Sequence, residues 1–132
     1  MSAHQFPIRI YYEDTDFSGN VYHAAYLKFF ERGRTEFLRD AGIHHSELAG
    51  QGLAFAVRSM EIHFDGAAHI DDLLTVSTEV AKVSGARLVL NQTIMRGEQV
   101  LTRAQVVVAA SKTSGGPARM PKAILGLFAP AR

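Results

Sequence analysis

The sequence lacks cysteine, any long hydrophobic run and any excess of charge, and each absence excludes a class of protein or site. Without cysteine the chain has no disulfide, no thiolate metal site and no cysteine nucleophile. No stretch approaches the roughly 18 apolar residues of a membrane span. The N-terminus has no basic region followed by an apolar segment, as a signal peptide would. We therefore expect a soluble cytoplasmic protein without a transmembrane segment.

Charge and length indicate an ordinary globular domain. Lysine and arginine number 14 and aspartate and glutamate 13, which leaves a net charge of +1. This balance gives no reason to expect a nucleic-acid partner or an anionic membrane surface. The 132 residues are 47% hydrophobic and 20% charged, with no linker or internal repeat. They predict a single domain over residues 1–132.

Several common catalytic and metal motifs are also missing. The sequence has no Gly-x-Ser-x-Gly elbow and no glycine-rich phosphate loop. The segment from Asp14 begins like a calcium loop, but its twelfth position is Ala25 instead of glutamate. The six histidines are scattered, so no zinc site is predicted. The sequence motifs therefore give no reason to expect a calcium or a zinc site.

From residue 21 to residue 41 the apolar residues recur at steps of three and four, which predicts an amphipathic helix. Asn20 is the expected N-cap and Gly42 the expected stop. Gly33 lies mid-helix, where glycine costs about 0.5–1 kcal/mol relative to alanine, so we expect it to pack closely against a strand. The predicted inner face carries Tyr22, Tyr26, Phe29, Phe30, Gly33, Phe37 and Ala41, and the outer face Lys28, Glu31, Arg32, Arg34, Glu36, Arg39 and Asp40.

The remaining segments alternate apolar and polar residues and predict strands. They lie near residues 6–10, 55–64, 74–80, 88–94 and 100–111, with a bulge near residues 58–59. Residues 46–51 predict a short helical turn or loop, and residues 122–128 a short terminal element. A helix of about 20 residues and strands of about 8–10 residues each span roughly 30 Å. The sequence therefore predicts an α+β fold in which one long helix lies along one antiparallel sheet. Residues 106–110 are apolar at every position, so we expect a partner subunit to cover the second face of that strand.

An acidic turn precedes the predicted helix and contains the candidate site residues. Asp16 can be a turn or capping residue, with His23 a surface residue of the first helical turn. Alternatively, Asp16 faces a carbonyl at the helix start as nucleophile or general base, and helix N–H groups stabilise the oxyanion. Local chemistry alone does not choose between these interpretations.

The turn and helix start resemble those of a known enzyme family. The motif Tyr-Tyr-Glu-Asp-Thr-Asp-x-x-Gly-x-Val-Tyr-His-Ala-x-Tyr-Leu at residues 11–27, followed by Phe-Glu-Arg-x-Arg-Thr-Glu at 30–36, is similar to that of hotdog-fold acyl-CoA thioesterases associated with the Tol–Pal gene cluster. These are relatives of 4-hydroxybenzoyl-CoA thioesterase. The resemblance extends through residues 71–74 to 121–122.

The resemblance implies a long helix wrapped by a five-stranded antiparallel sheet, with the active site at a dimer interface. It implies a catalytic carboxylate at Asp16, a carbonyl-polarising role for His23 and a contribution from Tyr12. It further implies a homodimer or homotetramer, an acyl-CoA or acyl-carrier-protein substrate and no cofactor. The basic residues that could reach the phosphates of CoA are Lys82, Arg87, Arg96, Lys112, Arg119 and Lys122.

Two other functions remain as alternatives. The chain could be a non-catalytic acyl-binding or envelope-partner module that kept the pocket, although an intact Asp16 and His23 argue against it. A hotdog dehydratase is disfavoured because His23 is followed by Ala-Ala-Tyr instead of a Pro-Gly-type helix start. The chain departs from the family at Gly33, where many relatives have alanine, and at Ala67 and His69, where relatives often have proline and arginine.

Overall fold

The structure consists of one sheet with a long helix packed across it, as the alternating and helical periodicities of the sequence predict. The computed structural model describes residues 3–128, without the side chains of Ala123 and Leu127, so both ends of the predicted 1–132 domain lie outside the described residues. The elements of the described part are, in chain order, β1 (His4–Arg9), α1 (Ala25–Asp40), α2 (His45–Gly50), β2 (Leu53–Phe64), β3 (Leu73–Val83), β4 (Arg87–Arg96), β5 (Gln99–Lys112) and α3 (Lys122–Phe128).

Within the described residues the five strands form one antiparallel sheet in the order β1-β3-β4-β5-β2. The predicted α+β architecture is therefore confirmed. The predicted bulge is also present, because the pairing of β2 with β5 shifts register between Val57 and Ser59. The two edge strands are β1 and β2.

The start of α1 differs from its prediction. The helix begins at Ala25, four residues later than predicted, and Asn20 does not cap it. The reason is a competing pairing: the Val21 N–H donates to the Ala68 carbonyl at 2.8 Å, and Asn20 and Val21 form strand-like bridges with His69 and Thr15, respectively. Gly42 follows the helix with φ +84°, so the predicted stop is confirmed.

The inner face of α1 is partly as predicted. Tyr26, Phe29, Phe30 and Gly33 are buried, whereas Tyr22 is exposed. Arg34, predicted on the outer face, is only 9% exposed. Its Nη1 donates to the Gln92 Oε1 at 3.1 Å. A buried amide on β4 thus holds the guanidinium at the helix–sheet interface, which hydrophobic periodicity does not signal.

Gly33 marks a close approach of α1 to the sheet. A Cβ at Gly33 would lie 2.5 Å from the Val76 Cγ1 on β3. Beside this contact the Gln92 Nε2 donates to the Phe30 carbonyl at 3.0 Å and to the Thr78 Oγ1 at 2.9 Å. The prediction that Gly33 packs closely on a strand is confirmed.

The helix covers the sheet unevenly. It packs mainly on β1 and β3, and on the same inner face Val57 and Phe64 of β2 remain 50% and 48% exposed. On the outer face, Val107 and Ala109 of β5 are only partly buried. None of the helices in residues 3–128 is long and apolar enough to cross a membrane.

Replacing Gly33 with alanine should destabilise the fold. The added methyl group collides with Val76, and overpacking of this kind costs about 1–3 kcal/mol, more than the helix propensity that alanine adds. The free energy of unfolding from chemical denaturation measures the effect. Gly50→Ala is the matched control, because a Cβ there meets no atom within 4 Å. Equal stability of the two variants would contradict the close contact.

Candidate active site

The segment that joins β1 to α1 is held at both ends by the loop that precedes β3. The Ile10 N–H donates to the Asp72 carbonyl at 2.9 Å. At the other end the Val21 N–H donates to the Ala68 carbonyl at 2.8 Å. The acidic segment between these bonds therefore has a defined position beside the start of α1.

Within this segment the chain makes a tight turn at Asp16. Thr15 and Val21 form an antiparallel bridge. The Asp16 N–H donates to the Asn20 carbonyl at 2.9 Å, and the Gly19 N–H donates to the Asp16 carbonyl at 3.0 Å. Gly19 has φ +86°, a conformation that glycine adopts without strain. The turn holds the Asp16 backbone, and the side chain is exposed in the single chain.

The Asp16 carboxylate is stabilised in its ionised form. Its Oδ1 accepts hydrogen bonds from the Ser18 hydroxyl at 2.5 Å and the Ser18 N–H at 2.8 Å. These two bonds, the hydroxyl first, hold the pKa of Asp16 below its usual value; slight desolvation opposes them, and His23 adds a weaker lowering effect. Among the described residues no donor binds the Asp16 Oδ2, which leaves one oxygen of an ionised carboxylate available.

Ser18 is a site residue that sequence reasoning missed. Its role could have been read from the Asp-x-Ser spacing, because an Asp side chain commonly accepts the backbone N–H two residues later. The hydrogen bonds from Ser18 to Asp16 stabilise the turn and also lower the pKa of Asp16. The capping interpretation and the functional interpretation of Asp16 are therefore compatible.

His23 lies where the chain enters α1. Its ring is 4.7 Å from the ring of Tyr22 and 6.3 Å from that of Phe64 at the end of β2. Within residues 3–128 the backbone N–H groups of His23 and Ala24 donate to no acceptor. Both precede the positive end of the helix dipole, where unpaired donors attract negative charge.

Tyr12 is less closely connected to the other two candidates. It begins a single 3-10 turn, Tyr12–Asp14, and is 82% exposed. Its carbonyl accepts the Thr15 hydroxyl at 2.7 Å. Its side chain forms no hydrogen bond to Asp16 or His23 in the described part of the chain. The structure therefore places Tyr12 on the same segment without joining it to the carboxylate.

The Tyr26 side chain connects α1 to the loop that precedes β3. Its buried hydroxyl accepts the Ala68 N–H at 3.1 Å, and its ring lies 5.7 Å from that of Phe64. Burial raises the pKa of this phenol, against smaller lowering effects that begin with the bond from Ala68. The Tyr26 side chain thus ties the first turn of α1 to the same loop that binds Val21.

An ion pair holds that supporting loop. The Asp72 carboxylate accepts the Arg96 Nη1 at 2.8 Å and the His69 N–H at 2.9 Å. Desolvation raises the pKa of Asp72, but the bonds from His69 and Arg96 together outweigh it, so the pKa is lowered. The Arg96 Nη1 also donates to the Ala67 carbonyl at 3.2 Å. Arg96 therefore has a structural role that its inclusion among the CoA-reaching cations did not anticipate.

The arrangement has the parts needed for reaction at a carbonyl. An ionised carboxylate with a free oxygen can attack the carbon or take a proton from water. Backbone donors at a helix start can bind the oxyanion that forms. Within residues 3–128 no group of three or more His, Cys, Asp or Glu side chains is placed to hold a metal ion.

Known proteins resemble this chain over nearly its whole length. The acyl-CoA thioesterase YbgC of Haemophilus influenzae is 46% identical over 125 residues, 93% of this chain and 92% of that protein. The acyl-CoA thioester hydrolase YbgC of Escherichia coli is 40% identical over 126 residues, 94% of each protein. The crystal structure of a probable thioesterase from Bartonella henselae, 49% identical, superposes with a TM-score of 0.88 over 91% of this chain and 100% of that one.

The family assignment agrees with these similarities. The family model described as the thioesterase-like superfamily matches residues 11–128. The predicted thioesterase resemblance and hotdog fold are both confirmed. The chain belongs to the thioesterase-like superfamily.

Proposed function

We propose that this chain hydrolyses the thioester bond of acyl-CoA to a free acid and CoA, with the Asp16 carboxylate as the reacting group. The supporting observation is the Asp16 side chain itself, ionised through its bonds to Ser18 and free at Oδ2. Two relatives that match over 93% and 94% of this chain are named acyl-CoA thioesterase and acyl-CoA thioester hydrolase. For this chain to hydrolyse a thioester, an ionised group must lie beside the bound thioester carbonyl.

Two routes use this carboxylate. In the first, the Asp16 Oδ2 attacks the thioester carbon, the C–S bond breaks, the thiolate leaves and takes a proton, and water then hydrolyses the acyl–aspartyl anhydride. In the second, Asp16 removes a proton from the water that attacks the same carbon. Both routes develop an oxyanion, which the N–H groups of His23 and Ala24 are proposed to bind.

His23 and Tyr12 complete the proposed site. The His23 ring, between Tyr22 and Phe64, helps hold and polarise the thioester carbonyl. Tyr12 supplies an exposed aromatic ring and hydroxyl on the same segment, available to the substrate or to a second subunit.

The proposal includes a second copy of the chain. β2 is a 12-residue strand at the edge of the sheet, and among residues 3–128 no strand pairs with its outer side; such edges favour pairing with another strand. Val57 and Phe64 on this strand are half exposed. Edge-to-edge pairing through β2 would form a homodimer with Asp16 near the interface, and two dimers could associate as a tetramer.

The carrier and the location are further parts of the proposal. The thiol carrier is CoA, with acyl carrier protein as the second candidate. The location is cytoplasmic, which suits a chain without disulfides. The association with the Tol–Pal gene cluster stays a prediction from the resemblance.

Asp16→Asn should lower kcat for acyl-CoA hydrolysis by at least about 100-fold, because the amide cannot act as nucleophile or general base. Thiol release from several acyl-CoAs measures the rate. Asp71→Asn is the matched control, since Asp71 is exposed and its φ of 72° suits asparagine. Equal rates for wild type and Asp16→Asn would remove Asp16 from the mechanism. Tight acyl-CoA binding by wild type without turnover would favour the binding-module alternative.

Ser18→Ala should raise the pKa of Asp16, because the largest lowering effect on this group is the Ser18 hydroxyl. Activity requires ionised Asp16, so the acid limb of kcat/KM should move to higher pH. The pH–rate profile and carboxyl NMR titration measure this shift. Ser46→Ala, an exposed serine on α2, is the control. An unchanged acid limb in Ser18→Ala would show that a different group governs activity at low pH.

The assembly should be at least dimeric at concentrations where it is active. Light scattering gives the mass, and dilution below the dissociation constant should lower specific activity, since the proposed site lies beside the β2 edge. A monomer that retains full activity on dilution would exclude the second subunit from the site.

A further inference from the structure

Residues 67–72, the 67–72 loop, precede β3 and bind the chain on both sides of the start of α1. Ala68 in this loop is fully buried and forms one hydrogen bond through its carbonyl and one through its N–H. The carbonyl accepts the Val21 N–H at 2.8 Å. The N–H donates to the Tyr26 hydroxyl at 3.1 Å. One residue of the loop therefore holds the chain at two points, five residues apart in the sequence.

The proposed oxyanion donors lie between these two points. The N–H groups of His23 and Ala24 belong to the segment that begins at Val21 and ends at Tyr26. Both ends of that segment are bonded to Ala68. The position of the donors therefore depends on the position of the 67–72 loop.

The Asp16 turn is attached to the same loop. The Asp16 N–H donates to the Asn20 carbonyl at 2.9 Å, and Asn20 forms a strand-like bridge with His69. At the other end of the turn segment, the Ile10 N–H donates to the Asp72 carbonyl at 2.9 Å. The carboxylate and the backbone donors thus share one support, and their separation depends on how firmly that support is held.

Arg96, the last residue of β4, binds the loop on either side of Ala68. Its Nη1 donates to the Ala67 carbonyl at 3.2 Å and to the Asp72 carboxylate at 2.8 Å. Its Nη2 donates to the Gln99 Oε1 at 3.1 Å, so the guanidinium is also held at the start of β5. The side chains of Arg96 and Asp72 are only 33% and 22% exposed, and a partly buried ion pair is screened less than a surface pair.

We propose that Arg96 is a positioning residue for thioester hydrolysis. By binding Ala67 and Asp72, it holds Ala68 between them. Ala68 in turn sets how far the Asp16 carboxylate lies from the backbone donors at the start of α1. Arg96 acts through the loop and does not touch the reacting atoms. The inference rests on the proposed function, because it adds a residue to that reaction.

This role differs from the contact with CoA phosphates that the sequence offered for Arg96. The Arg96 guanidinium already donates to three acceptors within the described part of the chain. A positioning role affects the reaction of every thioester equally, whereas a phosphate contact affects only substrates that carry the phosphates. The choice of substrate therefore separates the two roles.

Arg96→Met keeps an apolar stem and removes the charge and the donors. Because a displacement of about 1 Å caused far from the reacting atoms can lower a rate by about 10²-fold, kcat should fall by about 10–100-fold while KM stays nearly unchanged. The fall should be equal for an acyl-CoA and for the acyl-pantetheine of the same chain, which carries the thioester without the phosphates. A fall confined to acyl-CoA, or a rise in KM alone, would assign Arg96 to the phosphates and overturn the proposal.

Arg39→Met is the matched control. Arg39 lies near the end of α1 and forms its ion pair with Glu36 on the same helix, so this variant should leave kcat and KM unchanged. Arg96→Lys should recover part of the loss, since lysine keeps the charge but not the planar set of donors. Equal kcat values for folded Arg96→Met and Arg39→Met would show that Arg96 does not position the site.

Amide hydrogen exchange measures the loop contact without turnover. The Val21 N–H is bonded to the Ala68 carbonyl, so it should exchange slowly in the wild type. It should exchange faster in Arg96→Met and at the wild-type rate in Arg39→Met. Unchanged exchange at Val21 in Arg96→Met would contradict the proposal even if kcat falls.

Tyr26→Phe serves if Arg96→Met does not fold. It keeps the ring beside Phe64 and removes the acceptor of the Ala68 N–H, so kcat should fall for both substrates. Combined with Arg96→Lys, the loss should be smaller than the product of the two single losses, because changes that act through one shared contact are not additive. Fully multiplicative losses would exclude a common route through Ala68. These outcomes contradict the positioning role alone, whereas no hydrolysis of any acyl-CoA by the wild type removes the proposed function as well.

Discussion

At Gly33 the backbone of α1 lies so close to Val76 of β3 that an added Cβ would be 2.5 Å from the Val76 Cγ1. The contact holds the helix over β3 and β1 and away from β2. Two features of the chain follow from this placement. The start of α1 meets the end of β2, where Tyr26 and His23 lie near Phe64. In the single chain the inner face of β2 is only partly covered, so Val57 and Phe64 remain half exposed.

Hydrogen bonds of Gln92 also hold α1 in this position. Its amide nitrogen donates to the Phe30 carbonyl and to Thr78, and its amide oxygen accepts the Arg34 guanidinium. Because a buried amide is costly unless its groups are hydrogen-bonded, these partners fix the position of α1 along β4. The same residue thus connects the packing of the helix with the burial of Arg34.

Short-range patterns predicted most of the architecture. The two-residue alternation indicated the strands, the change of parity between Val57 and Met60 indicated the bulge, and the three-and-four spacing indicated α1. The reason for Gly33 was also predictable, since a costly residue mid-helix requires a close neighbour. The acidic turn and the helix start already offered Asp16 and His23 as candidates, and the resemblance gave catalytic roles to both and to Tyr12. Asp16 and His23 lie on one short segment, and Tyr12 shares the segment without a bond to the carboxylate.

The errors have a common physical cause. Asn20 was predicted as the N-cap and Val21 as the helix start because their local pattern allowed it, but the Ala68 carbonyl, 47 residues away in the sequence, accepts the Val21 N–H. Arg34 was assigned to solvent because a charge usually lies there, but Gln92 on a distant strand accepts its hydrogen bond. Each error depends on a partner from elsewhere in the chain. A periodicity is read from a short stretch of sequence, and that stretch does not include the partner.

The sequence by itself determined the secondary structure, the α+β class and the turn that carries Asp16, because these depend on side-chain spacing and on bonds such as Asp16 to Ser18 between near neighbours. Only the tertiary structure decided where α1 begins, which charge is buried and which part of the sheet stays open. Those features depend on how closely a helix approaches particular strands. That distance is set by atoms far apart in the sequence, such as Gly33 and Val76.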